Sequence, residues 1–206
     1  MCLDSAFLTT CQNEGGFSDD PKDPGNWTGG KVGVGILKGT KYGISAASFP
    51  ELDIINLTLE DAHEIYRRRY WLPLQCPAID QTLPLLADLL FDLGVNCGIG
   101  NAGKFLQRAI NTLIDTEGLP IEQRRRSPWR EAIAKRLNAK TLLVDGVVGP
   151  ITIEIFIKIP YPKAVLSGVF GEAYIHYSKL SSLYRPGWLK RLGGWFREVR
   201  QKGDLK

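Results

Sequence analysis

Apolar residues recur at helical spacing along most of the chain. Phe7, Leu8 and Cys11 share one face of a first helix, with Asp4 placed to cap its start and Gly15-Gly16 to stop it. Residues 17–47 break that period. They are rich in Gly, Pro, Asp and Thr, with short β-type pieces around residues 32–37 and 41–44, which predicts a loop followed by a small β-hairpin or ribbon. At Thr58-Leu59-Glu60-Asp61 a capping-box pattern opens a helix that carries Ala62, Ile65, Tyr66 and Tyr70 and ends at Pro73. Residues 83–93 are nearly all apolar and predict a buried central helix. Residues 104–114 are amphipathic, 121–127 read as an exposed basic connection, and 129–139 are helical again. Gly149-Pro150 starts a short helix, and two more fit residues 163–180 and 186–201. The pattern predicts an α+β, mainly helical fold with one small N-terminal β-hairpin. A soft boundary falls at the Gly-rich residues 94–98, with strong apolar segments on either side.

Composition narrows this picture. The 206 residues suffice for one large domain or two small ones that share a core. A net charge of +4 is compatible with an anionic partner but too small to indicate nucleic acid. No apolar run approaches a membrane span, and the first residues lack the basic and apolar stretches of a secretory signal. Cys2, Cys11, Cys76 and Cys97 form no CxxC pair, and His63 and His176 stand far apart. Reduced, buried thiols are therefore expected, with no metal site and no organic cofactor.

Candidate chemistry concentrates at residues 13–25. Glu14 falls at the predicted C-terminal end of the first helix, where the macrodipole is negative. That position, with partial burial, raises a carboxyl pKa, and an acid still protonated near neutrality is what a departing glycosidic oxygen needs. An exposed glutamate ahead of a glycine cap fits the same stretch equally well. A second carboxylate is needed to activate water or to stabilise an oxocarbenium-like charge. Asp19, Asp20 and Asp23 all lie in the following loop. Asp20-Pro21 and Asp23-Pro24 are also ordinary turn chemistry.

Taken together, the motifs resemble a known family. Glu14-Gly15-Gly16-Phe17, Asp20-Pro21-Lys22-Asp23-Pro24-Gly25 and Thr40-Lys41-Tyr42-Gly43-Ile44-Ser45 resemble the signature of glycoside hydrolase family 108, which contains phage endolysins and bacterial muramidases. The pattern continues through Leu57-Thr58-Leu59-Glu60-Asp61-Ala62, Ile65-Tyr66-Arg67, Tyr70-Trp71 and Phe91-Asp92-Leu93-Gly94-Val95-Asn96, covering roughly residues 5–100 in order. The resemblance implies a lysozyme-like fold and hydrolysis of the β-1,4 bond between N-acetylmuramic acid and N-acetylglucosamine. Glu14 would be the acid and Asp23 the second carboxylate, with Thr40 beside the catalytic water. Many members run directly from Asp-Pro-Gly-Gly into Thr-x-Tyr-Gly-Ile. Here Asn26-Trp27-Thr28 and a Gly-rich insert, residues 29–39, intervene, so Thr28 competes with Thr40. Tyr42, Asn96 and Trp27 are candidate sugar contacts, each with core packing or capping as the alternative.

The C-terminal half carries a second resemblance. Asp145-Gly146 leading to Gly149-Pro150, with residues 105–111 upstream and Arg185-Pro186-Gly187-Trp188 downstream, resembles a peptidoglycan-binding domain. Turn and helix-start chemistry in a supporting scaffold is the alternative. The division expected is residues 1–98 as catalytic region and 99–206 as a helical region packed on it. Lys190, Arg191, Arg197, Arg200 and Lys202 alternate with Trp188, Leu192, Trp195, Phe196 and Val199 along the last helix. Such a helix either touches the anionic cell envelope weakly or packs its aromatics inward. Arg124, Arg125, Arg126 and Arg130 form a second basic cluster. The expected partner is peptidoglycan, with no nucleic acid, for a monomer. The family resemblance and the leaderless N-terminus together suit an endolysin held in the host cytoplasm until holin-type release to the wall. A lytic transglycosylase and a non-catalytic wall-binding protein are the competing readings.

Overall fold

The computed structural model describes residues 3, 6–8, 16–114, 128–137, 141–181 and 185–201. The chain divides into two compact units, Met1–Arg69 and Tyr70–Lys206. The fold is α+β, mainly helical and lysozyme-like, with one two-stranded antiparallel sheet.

In the first unit, β1 (Thr40–Lys41) pairs with β2 (Ile44–Ser45), Thr40 opposite Ser45. The two residues between them, Tyr42 and Gly43, have φ of 51° and 73°. Positive φ at both positions is the mark of the tight hairpin turn whose twist matches that of the strands. Residues 32–37, expected as a β piece, form no strand beyond a single bridge from Trp27 to Leu37. Gly30, Gly33, Gly35 and Gly39 all take positive φ there, which turns the chain before a ladder can form.

Helix α1 (Leu59–Tyr66) opens on the expected capping box. Thr58 Oγ1 accepts from the Asp61 amide at 3.1 Å, and the Thr58 amide donates to Asp61 Oδ2 at 3.1 Å. The hydrogen bonds from Thr58 hold the Asp61 carboxyl below the usual carboxylate range. The α-helix stops at Tyr66 instead of running on through Tyr70, and continues as one π turn, Arg67–Trp71. The wider turn places buried Tyr66 and buried Trp71 five residues apart, so Trp71 takes the inward position that a straight helix would give Tyr70. Phe7 packs edge-on against Tyr66 and His63, with ring centroids 5.4 and 5.0 Å apart. Leu3, Ala6, Ile44, Ala46, Ile54, Leu57 and Ala62 complete the buried apolar set among the described residues of this unit.

The second unit is helical: α2 (Cys76–Asp80), α3 (Pro84–Cys97), α4 (Ile99–Ile114), α5 (Pro128–Leu137), α6 (Pro150–Lys158), α7 (Pro162–Ser178) and α8 (Arg185–Gln201). Helix α3 is the buried central helix, closed in at every position from Leu85 to Gly94. Helix α4 packs on α3 and α7, and α8 packs on α7. The glycine-rich boundary region is the junction of α3 and α4, where Gly98 turns the chain at φ 87°. Cys76 and Cys97 are free thiols, and burial pushes both up, Cys97 to about 11. Cys2 and Cys11, the first-helix stop at Gly15-Gly16 and the basic residues 121–127 lie outside the described residues. Among the described residues, no helix is long and apolar enough to cross a membrane.

Candidate active site

The site begins as a chain of local hydrogen bonds in the first unit. Asp20 Oδ1 accepts from the Lys22 amide at 2.9 Å, and Asp20 O accepts from the Asp23 amide at 3.1 Å. Asp23 then caps a single 3-10 turn, Pro24–Asn26, by accepting from the Gly25 amide through Oδ1 at 2.8 Å. Its other oxygen, Oδ2, has no hydrogen-bond partner among the described residues. Asp23 is therefore exposed, held by one oxygen and open at the other.

Asn26, at the end of that turn, is completely buried. Its amide donates to Asp23 O at 3.2 Å, and its Nδ2 donates to Asp20 O at 3.0 Å. Its carbonyl accepts from the Lys38 and Gly39 amides at 3.0 and 3.1 Å. One side chain and one peptide thus tie the Asp20–Asp23 loop to the strand that begins at Thr40. Sequence reasoning treated Asn26 only as a departure from the family pattern. An asparagine beside glycine looks the same in sequence whether it faces solvent or closes a loop.

Thr40 spends both main-chain groups on Ser18, donating at 2.8 Å and accepting at 2.9 Å. Its hydroxyl has no hydrogen-bond partner among the described residues, whereas Thr28 Oγ1 accepts from the Ile36 amide at 2.8 Å. Of the two threonines, Thr40 keeps its side chain available. Tyr42 sits at the hairpin turn, its carbonyl accepting from Tyr66 Oη at 3.1 Å and its ring 5.4 Å from Lys41 Nζ. Trp27 is half-buried, and its indole donates to Pro21 O at 2.9 Å, strapping the loop. Asp23, Trp27, Thr40 and Tyr42 therefore belong to one loop and hairpin of the first unit. Asn96 belongs to the second unit, on α3, where its amide donates to Asp92 O at 2.7 Å. Glu14 lies outside the described residues. Among the described residues, no group of three or more His, Cys, Asp or Glu side chains is placed to hold a metal ion.

The C-terminal motif resolves into a docked loop. Gln107 on α4 donates to Asp145 Oδ1 at 2.8 Å and to Val147 O at 3.1 Å, and accepts from the Gly146 amide at 2.8 Å. One helical turn on, Asn111 exchanges two hydrogen bonds with Leu142 at 2.9 and 2.7 Å. The Gln107 bond, then the Val147 amide, hold the Asp145 carboxyl below its usual range. On α8, Trp188 stacks on Tyr177 at 5.4 Å, and Leu192 and Trp195 are buried. Of the two expectations for this helix, these residues follow inward packing.

Residues 7–98 match the family model described as Glycosyl hydrolase 108. No curated protein matches the chain. Among solved structures, Brucella abortus SagA is similar in fold, with a TM-score of 0.63 and 20% identity over 97% of this chain and 94% of that one. The ordered motifs from Phe17 to Asn96, the hairpin that carries Thr40 and the family match coincide over one stretch. Residues 7–98 of this chain are thus similar to the glycosyl hydrolase 108 family, whose model they match.

Proposed function

We propose that the chain hydrolyses the β-1,4 bond between N-acetylmuramic acid and N-acetylglucosamine in peptidoglycan. Glu14 gives its proton to the departing glycosidic oxygen. A water held by Asp23 Oδ2 and the Thr40 hydroxyl adds to the anomeric carbon of the muramic acid and loses its proton to the carboxylate. The observation that carries this reading is the hairpin. With the Asp20–Asn26 loop before it, it leaves Asp23 Oδ2 and the Thr40 hydroxyl unengaged among the described residues, inside the stretch that matches the glycosyl hydrolase 108 model. Trp27 and Tyr42 are the proposed sugar contacts of the first unit.

One observation favours a second reading. Asp23 already caps the Pro24–Asn26 turn, a structural duty that a lytic transglycosylase, which needs no activated water, would leave it. The test is clearing of purified peptidoglycan by wild type, Glu14→Gln and Asp23→Asn, with mass spectrometry of the soluble fragments. We expect Glu14→Gln to lower the rate at least about a hundredfold, and wild type to yield reducing muramic acid ends. Anhydro ends with an active Asp23→Asn would convert the reading to a transglycosylase. Equal clearing by Glu14→Gln would remove Glu14 from the mechanism. Sedimentation with the wall but no clearing would make the protein a binding module.

A further inference from the structure

Thr40 does not stand alone on its face of the hairpin. It pairs with Ser45 across the two strands. The Ala46 amide donates to Gly39 O at 3.0 Å, whereas Thr40 turns its own amide and carbonyl outward to Ser18. Thr40 and Ser45 are therefore a non-hydrogen-bonded pair. Pairs of this kind bring opposed side chains closest, with Cβ atoms about 4.5–5.5 Å apart. Side chains alternate along a strand, and the next pair, Lys41 and Ile44, takes the other face, where Ile44 is buried. Thr40 and Ser45 face the opposite way, both partly exposed.

The same face meets the Asp23 turn. The Ala47 amide donates to Gly25 O at 3.0 Å, which fastens the chain after β2 to the residue whose amide Asp23 caps. A Cβ on Gly25 would lie 3.1 Å from Asp23 Oδ1 and 3.8 Å from Ser45 Cβ. One point is thus flanked by the carboxylate and by Ser45, whose partner across the sheet is Thr40. The Ser45 hydroxyl is also oriented. It donates to Ser48 Oγ at 3.1 Å and accepts from the Ser48 amide at 3.3 Å. A hydroxyl oxygen with its hydrogen committed and one lone pair used keeps one lone pair to offer. A water that attacks carbon needs acceptors for both of its hydrogens, so that a lone pair is left for the new bond. Asp23 Oδ2 is one such acceptor, and the free lone pair of Ser45 is a second beside it.

From this convergence we infer that Ser45 is a further residue of the hydrolytic site, holding the attacking water through Oγ beside Asp23 and Thr40; the inference rests on the hydrolytic reading of that site. The water oxygen bonds to the anomeric carbon as the glycosidic bond breaks. The leaving oxygen takes the proton of Glu14, and the water gives one proton to Asp23. Ser45 exchanges none and fixes the direction of the second hydrogen. The test is steady-state kinetics of the full chain on soluble, uncrosslinked peptidoglycan strands, with mass spectrometry of the products, for wild type, Ser45→Ala, Ser45→Thr and Ser48→Ala. Ser45→Ala is expected to lower kcat about tenfold with KM within about twofold, and Ser45→Thr, which keeps the oxygen, to recover most of the loss. Ser48→Ala removes the same turn bond but leaves the Ser45 oxygen, so its loss in kcat should stay below about threefold. Ser45→Ala with the kcat of wild type, while reducing muramic acid ends still form, would overturn the role of Ser45 and leave the hydrolytic reading standing. Equal losses in Ser45→Ala and Ser48→Ala would also overturn it, by making Ser45 a turn residue. Anhydro ends from wild type, or no cleavage at all, would overturn both.

Discussion

Asn26 does more for the candidate site than any residue the motifs named. Its Nδ2 holds Asp20 O, its amide holds Asp23 O, and its carbonyl receives two amides from the strand side. Replacing it with alanine removes the Nδ2 bond and opens a void in a fully buried position. Asn26→Ala is expected to lower unfolding free energy by roughly 2–3 kcal/mol, measured by urea denaturation. Clearing activity should fall further than Trp27→Ala lowers it, because both Asp23 and Thr40 depend on Asn26 for their positions. At this scale the sequence is legible where partners are neighbours. Thr58 and Asp61 are three residues apart, and their capping box is visible as a pattern. Asn26 meets partners 3, 6, 12 and 13 residues away, and no pattern of residue types encodes those distances.

Among the elements, the helices were legible because their apolar faces repeat every three or four residues over long stretches. The Gly-rich insert was not, because Val-Gly-Val-Gly-Ile alternates like a strand while its glycines take φ values that no strand allows. Helix α4 shows a similar conflict between local preference and contact. Alanine is the better helix former by about 1 kcal/mol, so local propensity favours Gly103→Ala. Yet a Cβ on Gly103 would lie 2.2 Å from Gly146 O, inside the docked loop that Gln107 and Asn111 grip. Gly103→Ala is therefore expected to destabilise, by roughly 2 kcal/mol, lowering the melting temperature by about 4–8 °C. A melting temperature at or above wild type would show that the loop can retreat without loss.

Across the molecule, a long-range polar tie within the second unit is the most informative. Asp92 is buried on α3, and Arg191 on α8 reaches it with Nη2 at 2.5 Å and Nε at 3.2 Å. The two are 99 residues apart, joining the Phe91-Asp92-Leu93-Gly94 segment to the final helix. Removing the cation leaves a carboxylate buried without its partner, at a cost of about 3 kcal/mol. Arg191→Met should therefore shorten the life of the C-terminal helix under limited proteolysis, whereas Arg197→Met, at an exposed position, should not. Composition showed both arginines as members of one basic stripe. Only the burial of Asp92 separates the structural cation from the solvated one, and a partner 99 residues away is encoded by no local signal.

The closed loop at residues 28–38 also has a meaning for how such a protein can diversify. Its two ends meet beneath it, where the Lys38 and Gly39 amides share the Asn26 carbonyl, so its length and its displayed side chains are uncoupled from the hairpin that follows. Such a segment behaves as an exchangeable cassette. Changes in its length or its tip should therefore leave the pairing of Thr40 with Ser45 in register.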